Sequence, residues 1–206
     1  MTEGESTLPG TEQFRILGIS GSLREGSYNT QLLRAAAELA PEGVQLTIFD
    51  GLREIPPYDE DDRLRGEPAP VLHLKNAIRE ADALLIATPE YNHGVPGVLK
   101  NAIDWASRPV PENPFVDKPT AIMGASAGPM GTVRAQGQLR EVLGVATPIV
   151  HTPEVLVANA PSRFDEGGRL RDEPTRQFVA TLVQRLVDWA DTLSPQLEEA
   201  SEAATG

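Results

Sequence analysis

The sequence predicts a single doubly wound α/β domain on a parallel sheet, and three observations carry that expectation. Short β-rich runs alternate with amphipathic helical stretches along the chain, the pattern that leaves successive strands parallel. One run, ALLIAT at Ala83–Thr88, is apolar at nearly every position, as a strand covered by helices on both faces must be. The first run empties into a loop of glycines, serines and an asparagine just ahead of a helix, where this kind of sheet keeps its ligand.

FRILGIS at Phe14–Ser20 forms the first expected strand and VQLTIFD at Val44–Asp50 the second. Ala83–Thr88 is the third, Pro119–Ser126 (PTAIMGAS) the fourth and the weaker TPIVHT at Thr147–Thr152 the fifth. The helix expected at Asn29–Ala40 carries Leu32, Leu33, Ala36 and Leu39 on one face, with Pro41 and Gly43 as stops. Further helical patterns cover Val71–Glu80, Val98–Ser107, Val133–Leu143 and Glu173–Thr192. The Pro- and Asp-rich stretch Ile55–Pro70 reads as a long surface loop. Residues 1–12 and 195–206 are small, polar and unpatterned and are expected to be flexible tails around one domain, 13–194.

Composition narrows the function. A length of 206 residues suffices for a full apolar core in one domain. With 18 Lys+Arg against 30 Asp+Glu, net −12, the chain has no cationic surface for nucleic acid or an anionic membrane. No apolar stretch approaches the roughly 18 residues of a membrane span, and the polar, acidic N-terminus lacks the pattern of an export signal. There is no cysteine, which excludes disulfides, thiolate metal sites and CxxC redox pairs, so electron transfer would need a bound cofactor. A cytoplasmic location is expected, and no metal site is expected, because His73, His93 and His151 are isolated from one another.

The loop after the first strand reads Gly18-Ile-Ser-Gly-Ser-Leu-Arg-Glu-Gly-Ser-Tyr-Asn-Thr30. Glycines expose main-chain N–H groups, Ser20, Ser22 and Ser27 add hydroxyls, the helix start adds its positive dipole end, and Arg24 adds charge: an anion site. Gly21–Gly26 has the spacing of a P-loop, but Ser27-Tyr28 stands where the phosphate-binding lysine and hydroxyl belong. Gly18-x-x-Gly21 is not the dinucleotide fingerprint either. A terminal monophosphate fits better. The bland alternative is a turn followed by a helix cap, which accounts for neither Arg24 nor the extra hydroxyls.

The third strand runs into TPEYNHGVPG and then the helix VLKNAIDWAS. Taken together, GSLREGSYN, TPEYNHGVPGVLKNAIDW and GASAGPMGTVRAQGQLR resemble the NADPH-dependent FMN reductase family, which includes quinone, azo-dye and chromate reductases. The resemblance spans about residues 14–145, and IPPYDEDD resembles the family as well.

That resemblance implies a flavodoxin-like fold, a five-stranded parallel sheet of order 2-1-3-4-5, with FMN as cofactor and NADPH or NADH as hydride donor. It implies that Ser20, Ser22, Arg24, Ser27, Tyr28 and Asn29 hold the phosphate end. Pro89, Glu90, Tyr91, Asn92, His93 and Gly94 then line the flavin ring and ribityl chain, with Ser126, Ala127 and Gly128 on the other side. Thr132 stands where family members often have a second glycine. His93 is assigned to loop shape or the substrate space, since hydride transfer to a flavin needs no protein base. Asp104 and Trp105 are read as interface or core residues.

The implied activity is a ping-pong reduction of quinones, flavins or similar small acceptors, in a homodimer or homotetramer. The alternative is a non-enzymatic, flavodoxin-type electron carrier. A carrier typically covers its flavin with aromatic loops, whereas Tyr28 and Tyr91 are the only aromatic residues in the three loops here. A phospho-receiver domain is disfavoured, because Ser20-Gly21-Ser22 and Thr88-Pro89 supply none of its acidic residues.

Overall fold

The computed structural model describes residues 13–205, with side chains through Ser194. Five strands, β1 (Phe14–Ser20), β2 (Val44–Ile48), β3 (Ala83–Ala87), β4 (Thr120–Ala125) and β5 (Ile149–Val157), form one sheet of order β2-β1-β3-β4-β5. All pairings are parallel, with β1 between β2 and β3, so the order reverses between β1 and β3. That reversal opens a crevice at the carboxyl ends of the strands.

The described residues form six α-helices, α1 (Tyr28–Glu38), α2 (Glu60–Arg65), α3 (Ala69–Glu80), α4 (Gly97–Ala106), α5 (Val133–Leu143) and α6 (Glu173–Thr205), all but α2 packed on the sheet. Successive strand residues point to opposite faces, so the central strands feed two cores. On one face Leu32, Leu33 and Ala36 of α1 and Val179, Val183 and Leu186 of α6 pack on Ile16, Leu85 and Met123. On the other, Leu74 and Ile78 of α3, Leu99 and Ile103 of α4 and Leu139 of α5 pack on Ile19, Leu84, Ile86 and Ile122. Every residue of β3 is buried, which is why ALLIA carries no polar alternation.

Expectation and structure differ in three places. The segment Ile55–Pro70 is not a bare surface loop. It contains α2, capped by Asp59 and stopped by Gly66, and Pro56 O accepts hydrogen bonds from Asn101 Nδ2 (2.8 Å) and Trp105 Nε1 (2.9 Å) on α4. Trp105 is consequently a fully buried core residue, while Asp104 is partly exposed and pairs with Lys100.

The fifth strand extends well past Thr152. Pro153 breaks the apolar run in the sequence, but β5 is an edge strand, where a missing N–H is tolerated. Its register on β4 shifts there, from Ala121↔Val150 to Met123↔Val155. Helix α6, started by Asp172 accepting from Thr175 N (3.1 Å), runs to Thr205 rather than stopping near Thr192. The tail expected at 1–12 lies outside the described residues, and the one expected at 195–206 falls on the last turns of α6 and on Gly206, where side chains or the residue itself lie outside them.

Candidate active site

β1, β3 and β4 end side by side, and the chain leaving each is stitched to its neighbour. Gly21 N donates to Ala87 O (2.8 Å), Thr88 N to Met123 O (3.0 Å) and Ser126 N to Val157 O (2.9 Å). A side chain at position 21 would press on Leu99 and on the Pro89 ring, so glycine there lets the exits of β1 and β3 approach.

The cleft between these exits is lined by Ser22, Arg24, Ser27, Tyr28, Asn29, Pro89, Glu90, Tyr91, Ala125, Ser126 and Ala127. Residues expected from three separate loops thus converge. The cleft encloses about 210 Å³. Pockets that engulf small ligands run to roughly 300–1,000 Å³, so a nucleotide-sized ligand seated here keeps one side open. The larger groove of about 400 Å³ beside β5 and α6 is lined by apolar residues such as Ile149, Val150 and Trp189. Its cation, Arg185, is spent on Thr152.

Loop one is built as an anion receptor. Ser27 caps α1, its hydroxyl accepting from Asn29 N (3.2 Å) and Thr30 N (3.4 Å). The main-chain N–H groups of Leu23, Glu25, Gly26 and Tyr28 have no acceptor among the described residues. The guanidinium of Arg24 is exposed and likewise has no partner among them. Free amides, a helix start and an unpaired cation at one end of a cleft are what a phosphoryl group requires.

Other expected residues turn out to serve the scaffold. Ser20 lies under the loop, its hydroxyl accepting from Thr30 Oγ1 (2.8 Å), and it does not line the cleft. Asn29 is buried and exchanges two hydrogen bonds with Ala125, Nδ2 to O (2.9 Å) and N to Oδ1 (2.9 Å). Its amide pins the start of α1 to the end of β4, which leaves one Nδ2 hydrogen for a ligand. Tyr28 leans on Phe164, ring centroids 5.4 Å apart, at the cleft wall.

The PEYN segment forms a tight hairpin. Tyr91 and Gly94 exchange main-chain hydrogen bonds (3.2 and 3.0 Å), and the two central residues, Asn92 (φ 51°) and His93 (φ 65°), are both left-handed. Positive φ at both positions matches a type I′ turn, in which asparagine is favoured but histidine is unusual. Pro89 and Tyr91 reach the cleft; Asn92, His93 and Gly94 do not line it. His93 leans instead toward α5, its Nδ1 3.1 Å from Arg134 Nη1.

Glu90 borders the cleft, yet its carboxylate is engaged with α5. Oε2 accepts from Arg134 N (2.9 Å) and Ala135 N (3.2 Å), and Oε1 lies 3.4 Å from Arg134 Nη1. Burial alone would push its carboxyl up. The amides of Ala135 and Arg134, with His93 and the Arg134 guanidinium, outweigh burial and hold it below the ordinary value.

On the opposite wall, Ser126 and Ala127 line the cleft, while Gly128 sits behind and accepts from Asn159 N (3.0 Å). Thr132 is fully buried, its hydroxyl accepting from Gln136 Nε2 (3.0 Å), so the residue replacing the family's frequent glycine packs inward. Ala125 and Gln138, the latter accepting from Val95 N (2.7 Å), were not singled out from the sequence. Their roles depend on partners more than 40 residues away, which no local spacing encodes. Among the described residues no cluster of three or more His, Cys, Asp or Glu side chains is placed to hold a metal.

Fold and cleft together define a doubly wound α/β protein with an anion-receptive crevice at the carboxyl ends of its central strands. Within that class, the chain belongs to the NADPH-dependent FMN reductase family, whose model matches residues 14–162. It is 48% identical over 184 residues to an NAD(P)H-dependent FMN reductase of Pseudomonas aeruginosa, covering 89% of this chain and 98% of that one. It is 37% identical over 180 residues to a quinone reductase of Pseudomonas putida, covering 87% of this chain and 96% of the relative. Among solved structures, the flavoenzyme NAD(P)H:(acceptor) oxidoreductase of Paracoccus denitrificans superposes with a TM-score of 0.79 at 34% identity, over 87% of this chain and 98% of that one.

Proposed function

We propose that this protein holds FMN in the cleft and uses NAD(P)H to reduce quinones, flavins or similar small electron acceptors. One observation carries the reading. A single crevice joins a phosphate receptor of free amides and unpaired Arg24 to a flatter wall formed by Pro89 and Tyr91. Membership of the FMN reductase family supports the same reading.

In this assignment Ser22, Arg24 and the loop-one amides hold the phosphate, and the capped start of α1 adds its dipole. Pro89 and Tyr91 on one wall and Ser126 and Ala127 on the other flank the ring. When bound, FMN supplies the capacity to accept a hydride from a nicotinamide and to return two electrons. The chain itself binds and orients. Tyr91, which lines the cleft, is 47% exposed, so the face beside it stays open to a planar partner. Donor and acceptor take turns at that face, and positioning rather than acid–base chemistry does the catalytic work. His93, turned toward α5, is not given a proton-transfer role. The active form is taken to be a cytoplasmic homodimer or homotetramer.

The test is spectroscopic. The purified protein loaded with FMN is expected to be yellow, to bleach with NADPH or NADH in the absence of oxygen, and to recolour on adding a quinone. A flavin bleached only by dithionite would assign the protein to the electron carriers instead.

A further inference from the structure

We infer that Glu90 is a positioning residue: carried by the loop after β3, its carboxylate caps α5 and thereby fixes the two walls of the cleft relative to each other. The inference rests on the FMN reading above, and it gives Glu90 a different part from that of a direct flavin contact.

Helix α5 needs a cap from elsewhere. Its N-cap residue, Thr132, makes no side-chain capping bond, because the hydroxyl is turned inward to Gln136, and its first turn holds no acidic residue. Four N–H groups open every α-helix without an internal acceptor. Here Glu90, 44 residues earlier in the chain, accepts from Arg134 N and Ala135 N and places a negative charge at the positive end of the helix.

The carboxylate has nothing left for a ligand. Its side chain is 9% exposed, both oxygens are engaged, and an ionised carboxylate donates no hydrogen bond to the acceptors of a flavin ring. The left-handed turn at Asn92 and His93 has a matching consequence. It folds the chain back so that His93 Nδ1 lies 3.5 Å from Glu90 Oε1 and 3.1 Å from Arg134 Nη1. Strained backbone of this kind persists only where surrounding structure holds it. Two residues further on, Val95 N donates to Gln138 Oε1 on α5 (2.7 Å), a second tie between the same two elements. The loop bearing Pro89 and Tyr91 is therefore braced against the helix that follows the Ser126–Ala127 wall.

The test uses the full chain with FMN. Glu90→Ala is expected to raise the FMN Kd at least tenfold and to alter the visible circular dichroism of whatever flavin remains bound. Glu90→Gln, which keeps an acceptor for the α5 amides, is expected to stay within about threefold of the wild type. A third variant works from the far side: Arg134→Pro removes an amide donor and the guanidinium, and proline is tolerated in the first turn of a helix. It is expected to reproduce part of the Glu90→Ala loss with residue 90 unchanged. Wild-type affinity in Arg134→Pro alongside a large loss in Glu90→Ala would make Glu90 a direct ligand contact and overturn the inference, as would unchanged affinity in Glu90→Ala.

A readout on the FMN-free protein separates this inference from the FMN reading itself. Glu90, faced by His93 from its own loop and by Arg134 from α5, has its carboxyl held below the ordinary 4.5. A depressed folded-state value means the stabilisation is complete above the ordinary value and is lost as pH falls through the lowered one. The melting temperature of the wild type should therefore fall more steeply below about pH 4.5 than that of Glu90→Gln. Parallel acid limbs would overturn the cap even in a protein that binds FMN well.

Discussion

Replacing Asn29 with alanine removes the side-chain hydrogen bonds that tie the start of α1 to the end of β4. The amide accepts from Ala125 N and donates to Ala125 O, both at 2.9 Å, and Asn29 and Ala125 are 3% and 2% exposed. Alanine leaves one buried N–H and one buried C=O without partners, each costing about 1–3 kcal/mol. The neighbouring cleft lets some water reach them, which favours the lower part of that range and a total near ~3 kcal/mol. For a chain of this size each kcal/mol moves the melting temperature by about 2–4 °C, so Asn29→Ala should melt roughly 6–12 °C lower. Thermal unfolding followed by far-ultraviolet circular dichroism measures this on FMN-free protein. Asn29→Asp should recover little, because one carboxylate oxygen keeps the Ala125 N–H while the other faces the Ala125 carbonyl. If Asn29→Ala melts within about 2 °C of the wild type, the two bonds do not carry the load assigned to them.

Two further substitutions separate binding from folding. Arg24→Ala should weaken FMN binding about tenfold, since a hydrogen bond to a charged group is worth about 1.5–3 kcal/mol and exposure takes the lower end. The same variant should leave the melting temperature of FMN-free protein unchanged, because the guanidinium has no partner to lose among the described residues; fluorescence titration and a thermal melt read the two effects. Gly124→Ala should do the reverse and damage the fold first. A methyl group at 124 lands on Thr132 Oγ1 and on the Thr88 carbonyl oxygen, both of fully buried residues, and overpacking of this kind costs about 1–3 kcal/mol. Adding Thr132→Gly should restore only part of the melting temperature, because the Thr88 carbonyl belongs to the backbone and remains in the way.

The sheet was readable because its signals are local. A buried strand such as Ala83–Ala87 declares itself by composition, and α5 by a stripe that recurs along its own sequence. The reading failed where a local signal was overruled from a distance. Pro153 looks like a strand breaker, yet an edge position absorbs it with a register shift. The Pro- and Asp-rich stretch before α3 looks like loose chain, yet Asn101 and Trp105 of α4 hold it down through Pro56.

The cleft shows the same division at the scale of single residues. Most of the residues named from the motifs gather along one cleft, because residues flanking strand ends must meet at the carboxyl edge of a parallel sheet. They said less about what each side chain touches. Ser20, Ser27, Asn29 and Glu90 all looked like ligand contacts, yet Ser20 and Glu90 are committed to Thr30 and to α5, and Ser27 and Asn29 spend part of their polar capacity on the α1 amides and on Ala125. The partners of Asn29 and Glu90 lie 96 and 44 residues away and become neighbours only through the strand order. What remains open to an incoming anion is Arg24, the hydroxyls of Ser22 and Ser27 as donors, the second Nδ2 hydrogen of Asn29 and the unpaired main-chain amides of loop one. The motif is thus two sets of residues interleaved, one that builds the crevice and one that faces into it. Substitutions in the first set should lower stability before affinity, and substitutions in the second should lower affinity alone.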